Sequence, residues 1–259
     1  MTLKLKFLKK QQIKNPVLIE GLPGIGNVGK VAVDFIIDKL KAKKFCDINS
    51  YSFPHSVFVN QSNIVELPTI SLYYKKHKNK DFIFMAGDIQ PIDEQSCYEF
   101  CEKFLDLFES YKGKEIITLG GIGLPEIPKK PRIYFTGNSK EIVNNYKKRL
   151  KHTEGLFGVV GPIIGVSGLL VGLAKQRKIP AVCILAETFG HPNHLGIRGA
   201  RELIKSLDKL FSLKLNFKKL DKEIDEIEKD ILSKTSQFED LLKKKIKETE
   251  GSEEKRYIG

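Results

Sequence analysis

A glycine-rich turn near the N-terminus has the residue types and spacing of a phosphate-binding site. Residues 17–20 are typical of a buried strand, and Gly24, Gly26 and Gly29 follow with the spacing of the dinucleotide-binding fingerprint at the start of a helical pattern. Asp47 lies at about the distance from this turn where a ribose-binding acid is expected. The same glycines would also permit a tight turn and close packing of a helix on a sheet without any ligand. Both interpretations are open at this point.

The same turn nearly matches the phosphate loop of nucleotide hydrolases. Gly24, Gly29 and Lys30 fit its spacing, so the glycine amides and Lys30 could together hold a phosphate. Val31 stands where a Ser or Thr hydroxyl would coordinate Mg²⁺, and nucleotide hydrolysis is therefore not expected. A nucleotide-binding, ligase-like enzyme that uses the loop from Gly24 to Lys30 is the alternative function that this turn supports.

Glu187, His191 and His194 form the densest group of potential metal ligands in the sequence. They are spaced around a proline turn and not in the helical His-Glu-x-x-His arrangement, so we interpret them as a hydrogen-bonded turn and predict no metal site. Cys97 and Cys101 are four residues apart and share a helix face. Because neither further cysteines nor histidines lie near them in sequence, they are expected to be small core residues.

Ser167 is the remaining candidate nucleophile. It does not complete the nucleophile-elbow motif, and the sequence shows no evident histidine–acid pair for it. The sequence therefore predicts no catalytic residue, no cofactor and no enzymatic activity.

Composition predicts a folded, soluble, cytoplasmic protein. The chain has 259 residues, of which 41% are apolar and 29% charged, and 44 Lys and Arg against 32 Asp and Glu give a net charge of +12. Residues 1–12 lack the apolar run of a signal peptide, and four cysteines in a chain of this length do not form a disulfide framework. Residues 155–174 are uncharged but contain six glycines and Pro162, so no membrane span is expected.

The positive charge does not indicate nucleic-acid binding. Of the basic residues, 38 are Lys and 6 are Arg, and they are scattered along the chain without a basic–aromatic motif. We interpret them as a solvated surface that could favour an acidic protein partner.

The elements that must position these residues alternate between strand and helix. Apolar runs predict strands at residues 17–20, 45–53, 57–60, 64–74, 81–86, 115–119, 132–135 and 181–186. Helical periodicity is found at residues 27–43, 93–111, 139–150, 163–176 and 197–211. This alternation predicts an α/β fold with three layers and a largely parallel sheet over residues 1–212.

A heptad pattern follows this α/β domain and predicts an amphipathic helical segment at residues 213–250. Its apolar positions are Leu210, Leu213, Phe217, Leu220, Ile224, Ile227, Ile231, Phe238 and Leu241. The apolar face could pack on another subunit or fold back on its own domain, and the pattern does not decide between them. Residues 251–259 are predicted to be a flexible tail.

The ordered series of glycine turns resembles one protein family. The motifs that carry the resemblance are GLPGIGNVG from Gly21, GGIGLPE from Gly120, GVVGPIIGVSGLLVGLAKQRKIPAVCILAET from Gly158 and GARELIKSLDKLF from Gly199. Together they resemble the archaeal proteasome assembly chaperones, which are similar to the paired assembly chaperones of the eukaryotic proteasome. The resemblance implies a nucleoside phosphorylase-like core, a homo-oligomer such as a tetramer or pentamer, and binding to proteasome α subunits without ATP or catalysis.

The resemblance also implies a binding role for the C-terminal tail. In the family, a tail that ends in a hydrophobic residue, tyrosine and any residue enters pockets between proteasome subunits. We therefore expect Arg256, Tyr257, Ile258 and Gly259 to contact the partner. This tail departs from the pattern, because Tyr257 is third from the end and Arg256 precedes it, so the terminal carboxylate lies about 3.3 Å further along an extended chain.

Overall fold

The computed structural model describes residues 3–151, 161–192 and 194–217. Their strands are β1 (Lys4–Phe7), β2 (Val17–Gly21), β3 (Lys43–Asn49), β4 (Phe58–Val59), β5 (Val65–Glu66), β6 (Ile70–His77), β7 (Lys80–Gly87), β8 (Glu115–Leu124), β9 (Ile133–Gly137) and β10 (Ala181–Phe189). Eight of them form one sheet in the order β1-β3-β6-β7-β2-β8-β10-β9, while β4 and β5 pair with each other as a separate hairpin.

The predicted parallel sheet is confirmed at its centre. The four central strands β7, β2, β8 and β10 run parallel, whereas the pairs toward both edges are antiparallel. Strands β6 and β7 are antiparallel because only Lys78 and Asn79 separate them, and Lys78 adopts a left-handed backbone with φ of 53°. Parallel neighbours need a longer crossover connection, and helices provide it at the centre.

Helices cover both faces of the sheet, which confirms the predicted three layers. They are α1 (Val28–Leu40), α2 (Glu94–Ser110), α3 (Lys140–Leu150), α4 (Val166–Gln176) and α5 (Ile197–Phe211). Helices α1, α3 and α5 pack on one face, and α2 and α4 pack against each other on the opposite face. Each of the five helices predicted up to residue 211 is present, and α5 has the bounds that periodicity predicted.

Capping side chains explain where two helices begin, and a backbone conformation explains where a third helix ends. Asp93 accepts a hydrogen bond from the Ser96 N–H at the start of α2, and Ser139 accepts one from the Ile142 N–H at the start of α3. Helix α1 ends earlier than predicted, because Lys41 adopts a left-handed conformation with φ of 51° that stops the helix.

The main core lies between the sheet and helices α2 and α4. Leu18, Ile116 and Leu185 from the central strands belong to one buried cluster with aromatic side chains of α2 such as Phe100 and Phe104. Burying each large apolar side chain contributes about 1.5–3 kcal/mol, so this layer fixes α2 and α4 on the sheet. The described residues up to Leu215 belong to one compact unit.

Candidate functional site

A crevice opens at the carboxyl ends of the central parallel strands, where open α/β sheets bind ligands. Its volume is about 570 Å³, and its walls include Gly24 and Ile25 of the first turn, Gly121 of β8 and Ser167 of α4. The side chain of Gln90 joins two walls. Its Nε2 donates to the Pro23 carbonyl at 2.8 Å, and its Oε1 accepts from the Val166 N–H at 3.2 Å.

The glycines of the first turn are required for packing. A Cβ on Gly29 would overlap the carbonyl oxygen of Leu119, and a Cβ on Gly21 would overlap the carbonyl oxygen of Gly29. Gly26 adopts φ of 60°, and its Cβ would lie 2.8 Å from the Thr188 hydroxyl. These contacts bring α1 against β8 more closely than any side chain would permit. Gly24 differs, because a Cβ there would meet no atom within 4 Å.

The residues suggested for nucleotide binding are not brought together. The Lys30 Nζ lies 2.8 Å from Asp34 and 2.8 Å from Asp88, so two carboxylates already neutralise it. Asp47 lies on β3, which β6 and β7 separate from β2, and it accepts a hydrogen bond from Ser71 at 2.6 Å. The suggested ribose-binding role of Asp47 is therefore wrong. The dinucleotide fingerprint requires its acid on the strand beside the first one, and strand order places it elsewhere.

A carboxyl group is buried beneath the crevice at Glu20, a residue that sequence reasoning missed. Its Oε1 accepts hydrogen bonds from the Leu22 N–H at 2.9 Å and from the Ser167 hydroxyl at 3.2 Å. Oε2 has no hydrogen-bond partner among the described residues. Burial raises the pKa of Glu20 to about 7, although these two hydrogen bonds lower it in part. The signal in the sequence was a single acid inside an otherwise apolar strand, all five residues of which are buried.

Small polar side chains surround Glu20. Thr118 and Cys183 occupy successive places in register beside it on β8 and β10. Cys97 and Cys101 lie on α2, and both are buried, which confirms the interpretation of this pair as core residues. Burial raises the pKa of Cys183 to about 12, so this thiol stays protonated at neutral pH.

The described hydrogen-bond partner of the Ser167 hydroxyl is a buried carboxyl group and not a histidine. Its hydroxyl donates to the Glu20 carboxylate at 3.2 Å. Ser167 is the second residue of α4, and its hydrogen bond to the buried carboxyl group of β2 stabilises the start of this helix. The contact therefore explains Ser167 as a positioning group for the helix.

Glu187 forms an ion pair and is not grouped with the two histidines. Its carboxylate accepts hydrogen bonds from the Arg132 side chain at 2.7 and 2.8 Å, from the Arg132 N–H at 3.0 Å and from the Tyr134 hydroxyl at 3.0 Å. Burial alone would raise the pKa of Glu187, but these bonds lower it below its usual value. His191 stacks on Phe189 with ring centroids 5.6 Å apart. Across the described ranges, no group of three or more potential metal ligands is present.

The predicted partner-binding residues lie outside the described residues. These are Arg256, Tyr257, Ile258 and Gly259, together with the heptad positions from residue 218 onward. The first heptad positions are described, and Leu210 and Leu213 are buried in their own domain with 8% and 3% exposure. The beginning of the pattern therefore packs on the α/β core. In the part of the chain that the structure describes, no helix is both long and apolar enough to span a bilayer.

Comparisons with known proteins identify similar sequences and structures. A model of the PAC2 family matches residues 18–233. An uncharacterised protein of Methanocaldococcus jannaschii is 30% identical over 254 residues, which cover 96% of this chain and 94% of that protein.

Two solved structures from Pyrococcus furiosus share the fold. PbaB, described as an archaeal proteasome activator, is 32% identical with a TM-score of 0.82, and the match covers 90% of this chain and 98% of PbaB. PbaA, described as an archaeal homolog of proteasome-assembly chaperone, is 23% identical with a TM-score of 0.75, and the match covers 98% of this chain and 99% of PbaA. The likeness to PbaB therefore extends over nearly the whole of that protein.

Proposed function

The chain belongs to the PAC2 family, and from this membership we propose that it is an ATP-independent proteasome assembly chaperone or activator that binds proteasome α subunits as a homo-oligomer. The observation that carries the proposal is the likeness to PbaB, at 32% identity and a TM-score of 0.82. The family resemblance inferred from the glycine turns is thereby confirmed.

The geometry of the crevice supports a function without catalysis. Gly21, Gly26 and Gly29 have packing roles that need no ligand, and Lys30 is paired with two carboxylates. Glu187, the most strongly hydrogen-bonded acid near the strand ends, is held by Arg132 and Tyr134. Lys30 and Glu187, which could have acted on a substrate, thus have structural partners, which favours a binding protein over an enzyme.

We assign docking to the C-terminal tail. Tyr257 supplies an aromatic ring and a hydroxyl for a pocket on the partner, and few rotatable bonds are immobilised when it binds. Several tails on one oligomer would raise the overall affinity if their spacing matches the pockets of an α ring. The net charge of +12 favours approach to an acidic partner surface. The cytoplasmic location is part of this proposal.

The test compares the intact chain with a chain that lacks residues 255–259. Proteasome α subunits are mixed with each at micromolar concentration and low salt, and complexes are measured by size-exclusion chromatography with light scattering. We expect a complex with the intact chain and at least tenfold weaker binding without the tail. Tyr257→Ala should reproduce most of the loss, whereas Glu253→Ala in the same segment should not. No complex with the intact chain would refute the proposal, and equal binding by the truncated chain would refute the tail's role.

A further inference from the structure

The hairpin of β4 and β5 leaves apolar side chains uncovered on both of its faces. Neighbouring strand residues point to opposite sides, and Phe58 and Val59 are 43% and 64% exposed. Ile64, Val65 and Leu67 on the returning strand are 59%, 63% and 74% exposed. Isolated surface apolar residues are common, but a continuous set of this kind indicates a contact surface.

The hairpin is ordered by its own turn although it has few packing contacts. The side-chain oxygen of Asn60 accepts hydrogen bonds from the backbone N–H groups of Ser62 and Ile64 at 2.9 and 3.1 Å. The side-chain nitrogen of Asn60 donates to the Glu66 carboxylate at 2.8 Å. Asn63 adopts a left-handed backbone with φ of 59°, which closes the turn. A two-stranded hairpin alone is only marginally stable in water, so a packing partner would stabilise a shape that is already formed.

An apolar hollow lies directly beside the hairpin. Its volume is about 680 Å³, and it is lined in part by Tyr51, Phe53, Val57, Leu67 and Pro68. Val57 and Leu67 belong to the two ends of the hairpin, so the projecting part and the hollow share one surface. A surface that carries a projection next to a cavity of the same chemistry can bind a copy of itself.

The charge distribution identifies the occupant. Residues 45–74 contain no Lys or Arg, although the whole chain has 44 in 259 residues. Their two acids are already engaged, since Asp47 pairs with Lys44 and Glu66 accepts from Asn60. Lys4 of β1 also lines the hollow, where its Nζ lies over the Tyr51 ring. Two copies of a chain with a net charge of +12 therefore repel one another less over this surface than over the lysine-rich remainder. An acidic partner, by contrast, would be drawn to the lysines.

We propose that the hairpin and the hollow, residues 51–68, form the self-association surface, in which the hairpin of one copy enters the hollow of a second copy of this chain. The inference rests on the proposed homo-oligomer and assigns its contact. It is independent of the C-terminal tail, which remains available to the proteasome subunits.

The test places a charge on the hairpin and measures the molar mass in solution. Size-exclusion chromatography with light scattering compares the intact chain with Val65→Glu, and Ile92→Glu is the matched control because Ile92 is 70% exposed elsewhere on the molecule. We expect an oligomer for the intact chain and the control. For Val65→Glu we expect at least tenfold weaker self-association with an unchanged circular dichroism spectrum.

A second variant gives a readout that does not depend on disrupting the surface. The native cysteines are all buried, so Val59→Cys adds an accessible thiol at the hairpin. Tyr51→Cys adds one in the hollow, since Tyr51 lines it and is 84% exposed. Mild oxidation of a mixture of Val59→Cys and Tyr51→Cys should then give a covalent dimer of the two variants in high yield, and a mixture of Ile92→Cys and Tyr51→Cys should not.

The outcomes distinguish this inference from the proposed function. If the intact chain is oligomeric and Val65→Glu keeps its mass, the assigned surface is wrong while the homo-oligomer stands. If Val65→Glu stays oligomeric but loses binding to α subunits, the hairpin contacts the partner and the inference is overturned. A monomeric intact chain at tens of micromolar would overturn both this inference and the proposed homo-oligomer.

Discussion

The crevice and the hairpin surface use their residues in opposite ways. Around the crevice, Gly29 and Glu20 are enclosed by backbone and side chains, and potential reactive groups are bonded to neighbours. On the hairpin, Val59 and Val65 are exposed and have no chemical reactivity. The region with motif-like spacing therefore serves the architecture, whereas the region without any motif exposes apolar side chains that can contact a partner. Spacing alone does not indicate function unless the groups remain accessible.

Substitutions in the crevice test one side of this contrast, and substitutions at Val65 and Val59 test the other. If the crevice is architecture, its substitutions should change stability and leave binding to partners unaltered. If it is a ligand site, the reverse pattern should appear.

The largest effect is expected for Gly29→Ala. Helix propensity alone would make this change stabilising by about 1 kcal/mol, because Gly29 lies within α1. The added Cβ would overlap the Leu119 carbonyl oxygen, so we expect destabilisation of about 4 kcal/mol instead. Gly24→Ala is the control, since open space surrounds that position, and it should change stability by less than about 0.5 kcal/mol. Urea unfolding measures both, and equal effects would contradict the packing role.

A smaller effect, dependent on pH, is expected for Glu20→Gln. The folded pKa of about 7 exceeds the unfolded value of 4.5, so the folded state binds more protons between these values. The contribution of Glu20 to the stability should therefore be largest below pH 4.5 and decrease as the pH rises to 7, by about 3 kcal/mol in total. The variant should lack this decrease. Unfolding curves at pH 4.5 and 8 measure the difference, and parallel behaviour of the two proteins would refute the buried carboxyl.

The opposite pH dependence is expected at Glu187. Its folded pKa is lowered, so the contribution of the ion pair is present above pH 4.5 and is lost as the pH falls through the folded pKa. Arg132→Ala should cost about 1–2 kcal/mol at pH 7, a value reduced by the 58% exposure of the Arg132 side chain. Arg132→Lys should retain part of the stabilisation that the ion pair contributes. A cost that stays constant down to pH 3 would show that packing, and not charge, is responsible.

The smallest effect is expected for Lys30→Ala. Its two carboxylate partners are 46% and 59% exposed, so the loss should be about 0.5 kcal/mol and should shrink as salt is added. Titration calorimetry with ATP and NAD should give the same trace for both proteins. Saturable binding that Lys30→Ala abolishes would favour the nucleotide-binding alternative.

The sequence predicted those parts of the fold that depend on local patterns. The helical periodicity of apolar residues in Ile197–Phe211 predicted α5 with its observed bounds, and the apolar run that begins at residue 17 predicted β2. The strand predicted at residues 64–74 is divided in the structure, because Pro68 cannot donate to a ladder. Strand β1 was missed, since its alternating lysines and apolar residues lie at an exposed sheet edge.

The parts of the site that depend on distant residues could not be predicted. Arg132 and Glu187 are 55 residues apart, and their pairing follows from the order β8-β10-β9. Ser167 and Glu20 are separated by 147 residues. A local sequence pattern does not predict such pairs, because they depend on which strands become neighbours in the sheet.

The amide of Gln90 has a mechanical consequence. Its side chain ties the turn at Pro23 to the first residue of α4 at Val166, donating one hydrogen bond and accepting the other. If the turn at Pro23 or the start of α4 moves, the other must move with it or one of the two Gln90 hydrogen bonds must break. The two flanks of the cleft are therefore mechanically coupled, and replacement of Gln90 would leave the hydrogen bond from Ser167 to Glu20 to hold α4 beside β2.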